Sequence, residues 1–195
     1  MIIGITGGTG CGKTTALEVI RQLDGLVLDC DAIYHELLAT DKVMLSAIGE
    51  RFPGTVTDGA LNRKKLGAIV FSDEEALSDL NSITHSAVKE EVLRRLTPEP
   101  NLAAIDAIGL FESGLNKLCK LTIAVTAPEE TRISRLMARD GIPAEYAAAR
   151  IAAQRPQSWF RENCDFTLEN NGSEADFRAK CLAFFRRLGI MERDQ

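Results

Sequence analysis

Long apolar runs are missing from this chain, and so is any excess of basic charge. No uninterrupted apolar run approaches the roughly 20 residues that a bilayer-crossing helix needs. The sequence opens directly on a short apolar segment with no charged leader before it, so neither a membrane span nor a signal peptide is expected and the chain reads as cytoplasmic. Lys and Arg number 23 against 28 Asp and Glu, for a net charge of -5, and the basic residues are dispersed. That balance offers no general attraction for nucleic acid, and any phosphate site must be built locally. Histidine is scarce, with two residues, and the five cysteines (Cys11, Cys30, Cys119, Cys164 and Cys181) form no C-x-x-C pair. An odd, scattered set of this kind fits reduced thiols better than disulfides or a zinc site. Internal repeats and low-complexity segments are also lacking. With 195 residues and 45% apolar content, the chain suffices for one α/β domain carrying a small insert.

What is present is concentrated near the start, in MIIGITGGTGCGKTTALEVI. Met1 to Thr6 reads as a buried strand and Ala16 to Leu23 as a helix. Between them, Gly7, four residues, Gly12, Lys13 and Thr14 match the phosphate-binding loop GxxxxGK[ST] in the strand–loop–helix context that the pattern requires. A glycine-rich backbone can curl its N–H groups inward, while the following helix aims the positive end of its dipole at the same point. Gly8, Thr9, Gly10, Cys11, Gly12, Lys13, Thr14 and Thr15 are therefore candidate contacts for a nucleoside triphosphate. Lys13 is placed to reach the β- and γ-phosphoryl oxygens, and the Thr14 hydroxyl to ligate a bridging magnesium ion. Cys11, near a helix N-terminus, is either a small stand-in for serine or a thiol of lowered pKa open to oxidation.

Further along, LVLDCDAIYHELLA gives a short strand ending in Asp29 and Asp31. Acids at the carboxyl end of a parallel strand line the ligand crevice. Asp31 is a candidate to meet the attacking hydroxyl, with the alternative that it caps the helix Ala32 to Ala39. Residues 41–99 read as helical and supply no strand to a parallel sheet; they are expected to form an insert that binds a second substrate. Arg63 is a candidate phosphate contact in that insert. Ala103 to Ile108 is a third strand, in which Asp106 falls mid-run, and Glu112 follows it. Leu121 to Thr126 is a fourth strand. The helix EETRISRLMARD sets Arg132, Arg135 and Arg139 near one face, and a lid is expected around residues 128–160. A short strand near Phe166 to Leu168, the Asn170–Asn171 turn and an amphipathic closing helix complete the chain. The fold class is thus α/β: a P-loop fold with a parallel sheet flanked by helices, the nucleotide-binding core spanning 1–40 and 100–195.

Taken in order, GITGGTGCGKTT, LVLDCDAIYHELL, TDGALNRKKLGAIVF, NSITHSAV, GLFESGL, RISRLMARD and DFTLENNG resemble the motifs of dephospho-coenzyme A kinases. These enzymes phosphorylate the ribose 3′-hydroxyl of dephospho-coenzyme A. The resemblance runs from Met1 to about Gly172. It implies ATP and dephospho-coenzyme A as substrates, with Mg2+ as cofactor. It also implies Asp31 as base or orienter and Lys13, Arg135 and Arg139 as contacts of the ATP phosphates. Arg63, His85, Leu110 and Glu112 fall on the acceptor side. Ser86 and Gly109 stand where the family pattern has proline. The rivals are another small-metabolite or nucleoside monophosphate kinase and, outside catalysis, a nucleotide-dependent switch.

Overall fold

The structure, a computed structural model, describes residues 1–189. The chain divides into two compact units, one formed by Met1–Leu28 with the chain from Glu99 onward, the other by Asp29–Pro98.

The first unit is built on a five-stranded sheet: β1 (Ile2–Thr6), β2 (Leu26–Asp29, whose last residue opens the second unit), β5 (Ala103–Asp106), β6 (Leu121–Thr126) and β7 (Phe166–Glu169), in the order β2-β5-β1-β6-β7. β1 lies at the centre and pairs in parallel with β5 and β6, and β6 pairs in parallel with β7. The central strand IIGIT is an almost continuous apolar run because helices cover both faces of a parallel sheet. Ile3 and Ile5 are fully buried, each contributing about 1.5–3 kcal/mol by leaving water. On one face they pack with Val19 and Ile20 of α1 (Lys13–Gln22) and with Phe177, Cys181 and Phe185 of α9 (Glu174–Arg187). The last three recur every fourth residue, which places them on one side of that helix. Ser173 and Asp176 start α9 with a reciprocal capping box, which satisfies two backbone donors otherwise left open. α6 (Glu129–Asp140) and α7 (Ala144–Ala152) meet through Leu136, Ala147 and Ile151, and α8 (Gln157–Asn163) follows.

The second unit contains α2 (Cys30–Thr40), α3 (Lys42–Arg51), α4 (Arg63–Val70) and α5 (Glu74–Arg95), with a small antiparallel hairpin, β3 (Val56–Thr57) and β4 (Ala60–Leu61). Each helix begins on a side-chain cap: Asp29, Asp41, Asn62 and Asp73. Such residues stop and start helices at defined points. Asp58 and Gly59 take positive φ at the hairpin tip, the backbone that a tight two-residue hairpin demands. Arg95 pairs with both Glu91 and Glu36, tying α5 to α2. Accordingly α2 groups with this unit, although the sequence pattern places residues 30–40 with the strand core; the packing of α2 along α5 decides it.

Of the element ends that differ from expectation, two bear on the site. β5 stops at Asp106 rather than running to Ile108, because the chain leaves the sheet there despite two further apolar residues. α1 begins at Lys13, not Ala16, so both Lys13 and Thr14 are helical.

Candidate active site

The loop between β1 and α1 is held by its carbonyl groups. Gly7 O accepts from Lys13 Nζ at 3.0 Å and Gly8 O from Cys11 N at 3.3 Å. Thr9 O accepts from Arg132 Nε at 2.8 Å, Gly10 O from Arg135 Nη1 at 3.3 Å, and Cys11 O from both Arg135 Nη1 at 3.3 Å and Asn170 Nδ2 at 3.0 Å. The Thr9, Gly10 and Cys11 carbonyls are thus held by side chains from outside the loop, and the Cys11 N–H is used within it. Gly12 caps α1 with φ 89° and offers no side-chain acceptor, so the first-turn N–H groups have no side-chain cap and, with the helix dipole, favour an anion. A Cβ on Gly12 would lie 2.2 Å from Asn170 Nδ2; the glycine is required by that close approach as well as by its left-handed backbone.

Lys13 also lies 3.9 Å from Asp106 Oδ1, both side chains being about 15% exposed. Asp106 ends β5, whose neighbour is the central strand, and so sits at the carboxyl edge of the sheet where ligands of open α/β sheets bind. Thr14 is exposed in the first turn of α1.

Several predicted site residues have different surroundings from those expected. Thr9 directs its N–H to Gln154 Oε1 at 2.8 Å, so this amide serves a side chain and not an inward phosphate nest. Leu110 is fully buried, packed against Gly4; its side chain belongs to the core and not to a substrate surface. Cys11 is buried as well, and desolvation pushes its thiol above the usual value despite the opposing charges of Arg132, Lys13 and Arg135, which removes the lowered-pKa reading. Arg139 makes a two-pronged pair with Asp140 at 2.7 and 3.0 Å. The Arg139 hydrogen bonds, then the one from Arg150, hold the Asp140 carboxyl down at about 2. Glu112 pairs with Arg155 at 3.4 Å.

In the helical unit, Asp29 Oδ1 caps α2 through Ala32 N at 3.0 Å. Asp31 is exposed in the first turn of the same helix, released from the capping alternative. Arg63 opens α4 with Nη2 3.4 Å from His35 Nδ1. It borders a mainly apolar groove of about 190 Å³ formed with Tyr34, Leu38, Leu66 and Phe71. His85 is half-buried on α5. Sequence reasoning missed Gln154 and the bracing function of Asn170 and Arg132, since nothing in RIAAQRP or ENNG marks a partner more than a hundred residues away.

A glycine loop from the central parallel strand to an uncapped helix, a lysine at the first helical position and an acid closing the neighbouring strand define a P-loop kinase fold. A shikimate kinase from Bacteroides thetaiotaomicron shares that fold at 15% identity with a TM-score of 0.56. The dephospho-CoA kinase (CoaE) family model matches residues 1–176. The dephospho-CoA kinase of Syntrophotalea carbinolica is 34% identical over 194 residues, covering 96% of this chain and 92% of that protein. That of Anaeromyxobacter dehalogenans is 38% identical over 178 residues, covering 88% and 84%. Among solved structures, dephospho-CoA kinase from Campylobacter jejuni aligns with a TM-score of 0.70 at 29% identity, covering 97% of this chain and 98% of that one. TT1252 from Thermus thermophilus aligns with a TM-score of 0.81 at 34% identity, covering 96% and 97%. The chain belongs to the dephospho-CoA kinase family, which catalyses the last step of coenzyme A biosynthesis with ATP as phosphoryl donor.

Proposed function

We propose that Lys13, the loop N–H groups and the N-terminus of α1 bind the ATP phosphates while the γ-phosphoryl group passes in line to the ribose 3′-hydroxyl of dephospho-coenzyme A. The observation that carries this reading is the bracing of the Thr9, Gly10 and Cys11 carbonyls by Arg132, Arg135 and Asn170, which holds the loop backbone in place before any ligand arrives. Preorganised donors need no rearrangement as charge develops on the transferring group, and that is where most phosphoryl-transfer catalysis resides. Lys13 is bonded to Gly7 O and near Asp106; it exchanges these contacts for phosphoryl oxygens. Arg139 is assigned to the same charge, reaching it by leaving Asp140, and Arg135 contributes its field from behind the loop.

The donor set suits magnesium. The ion prefers oxygen ligands and, on nucleotide phosphates, takes only one or two from protein; the exposed Thr14 hydroxyl and Asp106 are the oxygens that would hold it. When bound, it would neutralise charge on the nucleotide phosphates. On the acceptor side, Asp31 orients the hydroxyl or accepts its proton, and Arg63, His85 and Glu112 contact dephospho-coenzyme A. Both partners are small molecules, and the acidic chain is assigned to the cytoplasm; no described helix is long and apolar enough to cross a membrane.

The test of the acceptor-side assignment is Asp31→Asn. Loss of a positioned proton acceptor lowers kcat by about 10²-fold or somewhat less, since a loose transition state asks little of a base, while KM for ATP stays near that of the parent protein. An unchanged kcat removes Asp31 from the mechanism.

A further inference from the structure

The phosphate loop carries a constraint that its motif does not encode. The Thr9 backbone is gripped at both of its polar groups: its N–H donates to Gln154 Oε1 at 2.8 Å and its carbonyl accepts from Arg132 Nε at 2.8 Å. The two side chains also meet each other, Arg132 Nη2 lying 3.4 Å from the same Gln154 oxygen. Arg132 comes from the first turn of α6 and Gln154 from just beyond α7, so residues near either end of the α6–α7 segment close on the two peptide groups that flank the Thr9 Cα. The fit is tight. A Cβ on Gly8 would lie 2.4 Å from Arg132 Nη2 and 3.0 Å from Gln154 Oε1, so the glycine at that position makes room for the pair. Arg132 is 3% exposed, and no carboxylate among the described residues forms an ion pair with it. A buried guanidinium held only by carbonyl oxygens is costly unless its position is put to use.

We propose that Gln154 and Arg132 are positioning residues that clamp the backbone on either side of Thr9 and thereby set the loop in its phosphate-binding shape. The proposal rests on the reading that the loop binds ATP. Gln154 works as an acceptor only, so glutamate can replace it and a side chain of similar length without an acceptor cannot. Binding to a preordered loop avoids the cost of ordering it, so the effect falls on nucleotide affinity.

The experiment compares Gln154→Met with Gln154→Glu in the full chain. It reads KM for ATP, KM for dephospho-coenzyme A, binding of ATP with magnesium in the absence of acceptor, and amide hydrogen exchange of the segment 7–15. Gln154→Met is expected to raise KM and Kd for ATP about tenfold, to speed exchange in 7–15, and to leave KM for dephospho-coenzyme A within about twofold. Gln154→Glu recovers most of the ATP affinity and the slow exchange. Arg132→Gln is the companion variant; Gln154 is half-buried and carries the test if the buried arginine cannot be replaced without unfolding. Unchanged ATP affinity and exchange in Gln154→Met would overturn the proposal, as would equal losses in the Met and Glu variants. Acceptor-free ATP binding separates the clamp from the identity of the acceptor: a parent protein that binds ATP yet ignores dephospho-coenzyme A refutes the function and leaves the clamp to be judged on the variants.

Discussion

Asn170→Ala removes a side chain on which two parts of the nucleotide site depend. The residue is 3% exposed. Its Nδ2 donates to Cys11 O at 3.0 Å, its Oδ1 accepts from Arg135 Nη2 at 3.2 Å, and its backbone N–H bonds to Thr126 O at 2.7 Å. Alanine keeps the backbone bond and loses the other two. Each buried partner left unsatisfied costs roughly 1–3 kcal/mol. Cys11 O and Arg135 retain one bond to each other at 3.3 Å, so the combined loss falls at about 2–4 kcal/mol. For a chain of this size each kcal/mol moves Tm by about 2–4 °C, giving a fall of about 5–15 °C. Thermal and urea unfolding of parent, Asn170→Ala, Arg135→Met and the double variant give the coupling directly; residues sharing a hydrogen bond couple by about 0.5–3 kcal/mol. A Tm within about 2 °C of the parent, or strict additivity with Arg135→Met, would refute the reasoning. Asn170→Asp sharpens it, because a carboxylate still accepts from Arg135 but sets an oxygen against the Cys11 carbonyl.

Lys13→Met, which keeps the stem and removes the charge, lowers kcat/KM by about 10²–10³-fold with the unfolding curve little changed; activity within a few-fold of the parent would exclude Lys13 from phosphate binding. Glu91 provides a pH signature in the helical unit: hydrogen bonds from Arg94 and then Arg95 hold its carboxyl at about 2, against an ordinary 4.5. A depressed carboxylate stabilises the fold above its unfolded value and loses that contribution as pH falls towards its folded value, so the stability gap between parent and Glu91→Gln should close between pH 4.5 and about 2. A gap independent of pH over that window would deny the ion pair its part. Burial and a raised pKa predict that native Cys11 resists iodoacetamide at about pH 8 and reacts once unfolded; rapid native labelling of Cys11 would contradict its placement.

The strand–loop–helix start is legible in the sequence because periodicity and glycine spacing act over a dozen residues. The helical character of the insert is legible for the same reason, and its division from the strand core less so, since α2 is assigned by long-range packing and the Arg95–Glu36 pair. Asp106 looks mid-strand because Ala107 and Ile108 continue the apolar run, whereas the end of β5 is fixed by where the chain leaves the sheet. By sequence Arg132 is one of three arginines on a helix face. Only the fold turns it inward, to a carbonyl 123 positions earlier in the chain. Gln154 and Asn170 share that character: ordinary polar residues in sequence, made consequential by partners 145 and 159 positions away.

The measurement that tests the central claim most directly is ADP release by the purified protein with ATP and magnesium, in the presence and absence of dephospho-coenzyme A and with AMP, adenosine and shikimate as competing acceptors. The account predicts turnover that depends on dephospho-coenzyme A, with the new phosphate on the ribose 3′-oxygen. Turnover with another acceptor instead, or hydrolysis indifferent to any acceptor, would contradict it.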